Sequence, residues 1–377
     1  MIDLSVLVTE SRNKETMGLD QMTPLEIVTV MNREDGKAVE AIGEVLPQIA
    51  QAIAWCTDSL KQKGRIIYIG AGTSGRLGVL DAVECPPTFG VSPDVVVGLM
   101  AGGTPAFVRA VEGAEDSQTM GEEDLKEIHL SPADIVIGLA ASGRTPYVIY
   151  GLRYAKKIGC RTVAVSCNRD SEIGKEADLA IEPVPGPEVL TGSTRLKAGT
   201  VQKMVLNMIS TGSMVGIGKV YQNLMVDVVQ TNMKLITRAE NIVMTATGCT
   251  REEARDSLEE AEGSVKLAIT MILLQCGAKS AKTRLNRAGG MFVMQYRTYK
   301  ETMLPQMVRL WKEEAVRIRY KAYDSPEEWK AELLDKPDFD PEGCILAFTD
   351  SGSLAGFAAA ISQKEFLPGQ NRDNTPG

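Results

Sequence analysis

The sequence predicts an α/β fold built on a doubly wound parallel sheet, and three observations carry that expectation. Short runs rich in β-branched residues recur along the first half of the chain. Each is followed by a segment long enough for a helical crossover. Within the runs apolar and polar residues hardly alternate, as expected of strands covered on both faces. Ahead of the sheet, Ile27, Val28 and Met31, then Val39, Ile42, Val45, Leu46, Ile49 and Ile53, recur at helical spacing and predict two helices between 22 and 63. The expected strands are RIIYIG (65–70), DVVVGLM (94–100), DIVIGLA (134–140), RTVAVS (161–166) and DLAIEP (178–183). Helical character returns after 195 with Val201, Met204, Val205, Met208 and Ile209.

Residues 237–290 read as a separate three-helix bundle, in which Thr250 and Glu253 have capping-box spacing and Gly248 and Gly263 interrupt helices. Beyond 291 a strand-then-helix pattern leads to GCILAFTDSGSLAGFAAAIS, which reads as a hairpin turning at Asp350–Ser353. The closing QKEFLPGQNRDNTPG predicts no element.

Composition narrows the function. The chain has 377 residues, enough for two or three compact units, with 44% hydrophobic and 24% charged residues. No apolar run approaches the ~20 residues of a membrane span, and MIDLSVLVTESRNKE is not a signal peptide, so a cytoplasmic protein is expected. A net charge of -8 and a pI near 5.1 offer no basic field for nucleic acid. Seven scattered cysteines without a CxxC pair suit reduced thiols better than disulfides or zinc. The single histidine, His129, falls in the amphipathic GEEDLKEIHL and reads as part of a surface helix. Acid–base work therefore falls to carboxylates, lysine, tyrosine or cysteine, and neither a metal nor a cofactor is expected.

Two strand-ending loops carry the chemistry. Gly70-Ala71-Gly72-Thr73-Ser74-Gly75-Arg76 follows RIIYIG, and Ala141-Ser142-Gly143-Arg144-Thr145-Pro146 follows DIVIGLA. Both lie at carboxyl ends of parallel strands, where open α/β sheets bind ligands. Glycine lets the backbone approach an anion, and hydroxyls and helix-opening N–H groups donate to phosphate oxygens. The first loop also satisfies GxGxxG, but the next strand ends in Leu99, Met100, Ala101 and Gly102, without the acidic residue a dinucleotide ribose needs.

Two carboxylates stand between the loops. Glu84 precedes Pro86 and Pro87, which are expected to end its helix and leave it near the loop mouth. Glu115 has Glu112 and Asp116 beside it, and spacing alone does not choose among the three.

Longer phrases carry a resemblance. IGAGTSGRLGVLDAVECPPTFG, VEGAEDS, GLAASGRTPYV, GCRTVAVSCN, TGSTRLKAGTVQK and GKVYQNLMVDVVQTN are similar, nearly word for word, to the N-acetylmuramic acid 6-phosphate etherases, from TESRN at residue 9 to about residue 290. The resemblance implies a sugar isomerase (SIS) fold and a homodimer with active sites near the subunit interface. It implies cleavage of a D-lactyl ether by elimination and water addition, with Glu84 as proton donor and Glu115 as base. It implies sugar-phosphate contacts from Gly72, Thr73, Ser74, Ser142, Gly143, Arg144 and Thr145. Ser193 and Lys197, with Glu188, Thr194 and Arg195, are weaker candidates, since residues after the last strand also cap helices or complete an interface.

The implied organisation is a helical segment at 1–54, the SIS domain at 55–218, a ubiquitin-associated-like helical module at 219–290 and a fragment at 294–377. That fragment resembles the start of a GNAT acetyltransferase and lacks its pyrophosphate-binding turn. Two rivals share the fold: an aldose–ketose isomerase, and a sugar-phosphate sensor without catalysis.

Overall fold

The computed structural model describes residues 7–109, 111–228 and 233–288, the segments 295–298, 339–348 and 354–361, and the single positions 307, 327 and 330. The chain divides into two compact units, Met1–Arg251 with Gly263–Lys266, and Glu252–Glu262 with Leu267–Gly377.

The first unit opens with α1 (Pro24–Gly43) and α2 (Leu46–Lys61). Thr23 caps α1 in a reciprocal box: Glu26 N–H donates to the Thr23 hydroxyl, and Thr23 N–H donates to Glu26 Oε2 at 2.7 Å. There follow β1 (Ile66–Gly70), α3 (Gly72–Phe89), β2 (Val96–Met100), α4 (Gly103–Val108), α5 (Met120–Glu127), β3 (Ile135–Leu139), α6 (Pro146–Ile158), β4 (Arg161–Val165), α7 (Glu172–Glu176), β5 (Leu179–Ile181) and α8 (Lys197–Gly216). A short hairpin, β6 (Val220–Tyr221) and β7 (Leu224–Met225), precedes α9 (Met233–Thr247).

The five strands pair in parallel in the order β2-β1-β3-β4-β5. Successive side chains of a strand face opposite ways, and both faces are buried here. Ile66, Tyr68, Ile135 and Ile137 pack with Ile42, Ile49, Val201 and Val205 of α1, α2 and α8, and with Cys85 and Phe89 of α3. Ile67, Ile69 and Val136 face Leu125, Val148, Leu152 and Ile173 of α5, α6 and α7. Helices α3 and α6 thus cover opposite faces although β1 and β3 are neighbours, which makes the β1/β3 boundary the topological switch point where a ligand crevice opens.

Two expectations need correction. Helix α3 does not stop before its prolines; it runs through Pro86 and Pro87 to Phe89 and ends on Gly90 in the left-handed region (φ 61°), whose N–H bonds to Pro86 O. Proline forfeits a backbone donor, but its fixed φ is helical, and Cys85 and Phe89 anchor this last turn in the core. Because α3 begins at the loop and rises 1.5 Å per residue, Glu84 lies about 18 Å along the axis from Gly72, not at the loop mouth. His129 lies beyond the end of α5, exposed and in the left-handed region (φ 53°).

Helices α10 (Arg251–Glu260), α11 (Val265–Leu274) and α12 (Ala278–Arg287) follow, with Gly248 and Gly263 at positive φ in the breaks before and after α10. Strands β8 (Gln295–Thr298), β9 (Phe339–Phe348) and β10 (Leu354–Ile361) form an antiparallel sheet in the order β10-β9-β8. The turn expected at Asp350–Ser353 and the helices expected between β8 and β9 fall largely outside the described residues. Among the described residues no helix is long and apolar enough to cross a membrane.

Candidate active site

The loops that end β1 and β3 leave the sheet side by side, because Gly70 pairs in register with Leu139. The first turns so tightly that a Cβ on Gly75 would lie 2.6 Å from Gly70 O, closer than any side chain allows. Gly72 opens α3 at φ +53°, and no side chain caps the helix. The first backbone N–H groups of an 18-residue helix thus remain available to an anion.

Gly72 lines a cavity of about 280 Å³ with Arg76, Met100, Val111, Glu112 and Glu115. Arg76 fixes one wall, donating from Nε to Phe107 O and from Nη2 to Ala106 O, both at 2.8 Å, at the end of α4. Glu115 is itself held by its backbone, whose carbonyl accepts from Tyr147 N–H at the start of α6 (3.1 Å). Its side chain is exposed.

The second loop turns at Gly143, where φ is +76° and a Cβ would collide with Ser171 Cβ. Ser142 Oγ accepts from Arg144 N–H at 3.3 Å, and Arg144 lies 3.7 Å from the Glu172 carboxylate. Ser142 and Arg144 line a cavity of about 420 Å³ with Leu7, Val8, Asn168 and Lys175. Asn168 ties three segments together: its amide donates to Ala141 O (3.1 Å), Ser142 O (3.4 Å) and Thr9 Oγ1 (3.1 Å) and accepts from Val8 N–H (2.8 Å). The N-terminal segment is thereby a wall of the second loop's cavity. Thr145 occupies the N-cap position of α6 without a side-chain cap bond, ahead of Pro146.

The other candidates line neither of these two cavities. Lys197 is fully buried, and Nζ donates to Glu34 Oε2 at 2.8 Å. Burial pushes the Glu34 carboxyl upward, but hydrogen bonds from Lys197, Lys37 and Asn13 outweigh it and hold it at about 2. Glu188 accepts from Lys197 N–H (3.0 Å) and Ala198 N–H (2.9 Å) and so caps α8. Ser193 is half-buried in the turn before α8. Thr73 meets the first turn of α8: a Cβ on Gly199 would sit 3.7 Å from its methyl. Ser74 is buried and donates from Oγ to Gln202 Oε1 at 2.8 Å. Glu84 is exposed on α3 and lines neither cavity. Burial pushes the Cys56, Cys85 and Cys160 thiols up to about 12, which removes them as bases.

Asn168 and Gln202 sit inside the phrases that carry the family resemblance. Their contacts join residues far apart in sequence, so no local spacing reveals them.

Comparison with known proteins agrees with this architecture. The family model of the glucokinase regulatory protein N-terminal SIS domain matches residues 48–156, and that of the SIS domain matches residues 118–211. An N-acetylmuramic acid 6-phosphate etherase of Pectobacterium atrosepticum is 60% identical over 289 residues, covering 77% of this chain and 95% of the relative. Etherases of the same name from Serratia proteamaculans and an Enterobacter species are each 58% identical over 289 residues, covering 97% of the relative.

Proposed function

The chain belongs to the N-acetylmuramic acid 6-phosphate etherases, carbon–oxygen lyases, and from that premise we propose that its reaction runs through Glu84 and Glu115 in a site composed by two copies of the chain. The enzyme converts N-acetylmuramic acid 6-phosphate to N-acetylglucosamine 6-phosphate and D-lactate in the recycling of cell-wall sugar. The etherases match over 95% and 97% of their own length, whereas the glucokinase regulatory protein model, the counterpart of the sensor rival, matches residues 48–156.

When the sugar ring opens, the C2 proton lies next to the C1 aldehyde and becomes acidic. In the proposed path, the Glu115 carboxylate takes this proton, and the electron pair left at C2 forms the C2–C3 double bond as the C3–O bond to lactate breaks. Glu84, protonated, gives its proton to the departing lactate oxygen. Water then adds at C3 of the unsaturated aldehyde and a proton returns to C2. No metal enters these steps, and none is proposed. Each positioned proton transfer contributes roughly 10²- to 10⁴-fold. The α3 N-terminus and Ser74 bind the phosphate, and the Ser142–Thr145 loop completes the sugar-phosphate site.

The observation that supports a composite site is the placing of the two carboxylates. Glu115 lines the cavity beside the first turns of α3 together with Gly72 and Arg76, whereas Glu84 lies about 12 Å beyond Arg76 along that helix and lines no part of it. Glu84 is also flanked by apolar residues left in water, Leu80 (44% exposed) and Val83 (58%). A second copy laid over this face would cover them, desolvate Glu84 as a general acid requires, and bring it to the other chain's cavity. The chain's cytoplasmic location, proposed with the dimer, fits its free thiols and phosphorylated substrate.

The test is complementation by co-expression. Glu84→Gln and Glu115→Gln homodimers should each release no D-lactate. In a hybrid dimer one site carries both substitutions and the other carries none, so a random mixture should recover about a quarter of the wild-type rate. If each site drew both carboxylates from one chain, every hybrid site would hold one substitution and the mixture would stay inactive.

A further inference from the structure

Gln202 is 1% exposed on α8, and its Nε2 is buried without a hydrogen-bond partner. An orphaned N–H group is the rarer kind of unsatisfied polar atom, since folded chains tolerate an under-satisfied carbonyl more readily. The other end of the same amide accepts the Ser74 proton at 2.8 Å. Helices α3 and α8 run parallel here, for Ser74 meets Gln202 while Asp81, two turns on, accepts from Asn207 and Ser210. The hydroxyl of the anion-binding loop is therefore turned inward, onto α8.

We propose that Gln202 is a positioning residue for the sugar phosphate, acting through Ser74 as a two-position partner. In the inward position Gln202 Oε1 accepts the Ser74 proton. When a phosphate oxygen arrives, the hydroxyl rotates to donate outward, and the amide turns over so that Nε2 donates to the vacated lone pair on Oγ. One N–H and the carbonyl oxygen are then left over in place of two N–H groups, which exchanges one orphaned donor for the better-tolerated acceptor. A residue that only filled the α3/α8 interface would need no amide at this point. The idea rests on the phosphate role proposed for Ser74.

The test compares Ser74→Ala, Gln202→Met, Gln202→Glu and the Ser74→Ala/Gln202→Met pair, reading KM and kcat for N-acetylmuramic acid 6-phosphate and competitive inhibition by inorganic phosphate. Methionine keeps the volume and removes the polar atoms; the glutamate carboxylate keeps the acceptor and loses the donor. Each single variant should raise KM and the phosphate inhibition constant on the order of tenfold with kcat changed far less. The double variant should be no worse than Ser74→Ala, because both remove the same proton from the phosphate. The inference is overturned if Gln202→Met and Gln202→Glu bind phosphate normally while Ser74→Ala does not, or if the two sites prove additive. Normal binding by Ser74→Ala would instead remove the phosphate role of Ser74, on which the inference stands. A loss of stability with both constants unchanged would mark Gln202 as a packing residue and also overturn it.

Discussion

Lys197 shows how a side chain inside a family phrase can be held by the fold itself. Its ammonium is wholly enclosed with Glu34, which also accepts from Asn13 and Lys37. Removing one partner of such a pair leaves a buried charge uncompensated, which costs about 3–5 kcal/mol, whereas replacing both with apolar or neutral groups costs far less. Glu34→Gln is therefore expected to lower unfolding stability by about 3 kcal/mol, and Glu34→Gln/Lys197→Met to recover most of it, as read from urea midpoints. The pH dependence has a definite sign. Glu34 is held at about 2, below its ordinary 4.5. Its contribution is complete above the unfolded value and is lost as pH falls through the folded one. Wild type should thus lose stability relative to the double variant between about pH 4.5 and 2, and not above. If Lys197 instead read the substrate directly, Lys197→Met would raise KM without moving the urea midpoint.

At the scale of an element, the β1–α3 connection separates two glycines that look alike in the sequence. A Cβ on Gly75 would strike Gly70 O at 2.6 Å and Met100 Cβ at 2.8 Å, so the loop or the strand must shift. A Cβ on Gly72 meets nothing within 4 Å, and only its positive φ resists. Gly72→Ala should cost about 1–2 kcal/mol, while Gly75→Ala should distort the loop proposed to hold the phosphate and abolish substrate binding. Thermal unfolding with KM checks this, and equal effects from the two would refute the packing argument.

The same contrast explains what is legible in the sequence and what is not. The five strands are read to within a few residues because burial on both faces leaves a near-continuous apolar run. The end of α3 escapes such a reading because proline chemistry is local, whereas the anchoring of Cys85 and Phe89 is tertiary. The distance of Glu84 from the loop does not depend on that end, because the helix rise from Gly72 alone carries it about 18 Å along the axis. The Glu34–Lys197 pair and the Ser74–Gln202 bond span 163 and 128 positions, and no pattern in the intervening sequence announces either.

For the whole molecule, the etherase relatives align over 289 residues, which is nearly their entire length but 77% of this chain. Nearly a quarter of the chain lies outside that match, and among the described residues strands β8, β9 and β10 pair only with one another. Truncation after residue 293 should leave D-lactate release within about twofold of the full chain, because the deleted sheet lies outside the unit that carries both loops. A cut after Arg251 should behave differently. Gly263–Lys266 belongs to the first unit, and Lys266 holds it through N–H to Val226 O (3.1 Å) and Nζ to Gly218 O (2.6 Å). Removing those bonds frees the β6–β7 hairpin next to Asp227, whose carbonyl stands where a Cβ on Gly90 would be, at the end of the helix that carries Glu84. The shorter chain should therefore lose both stability and lactate release. Insolubility or inactivity of the longer one would instead make the tail part of the etherase's folding unit.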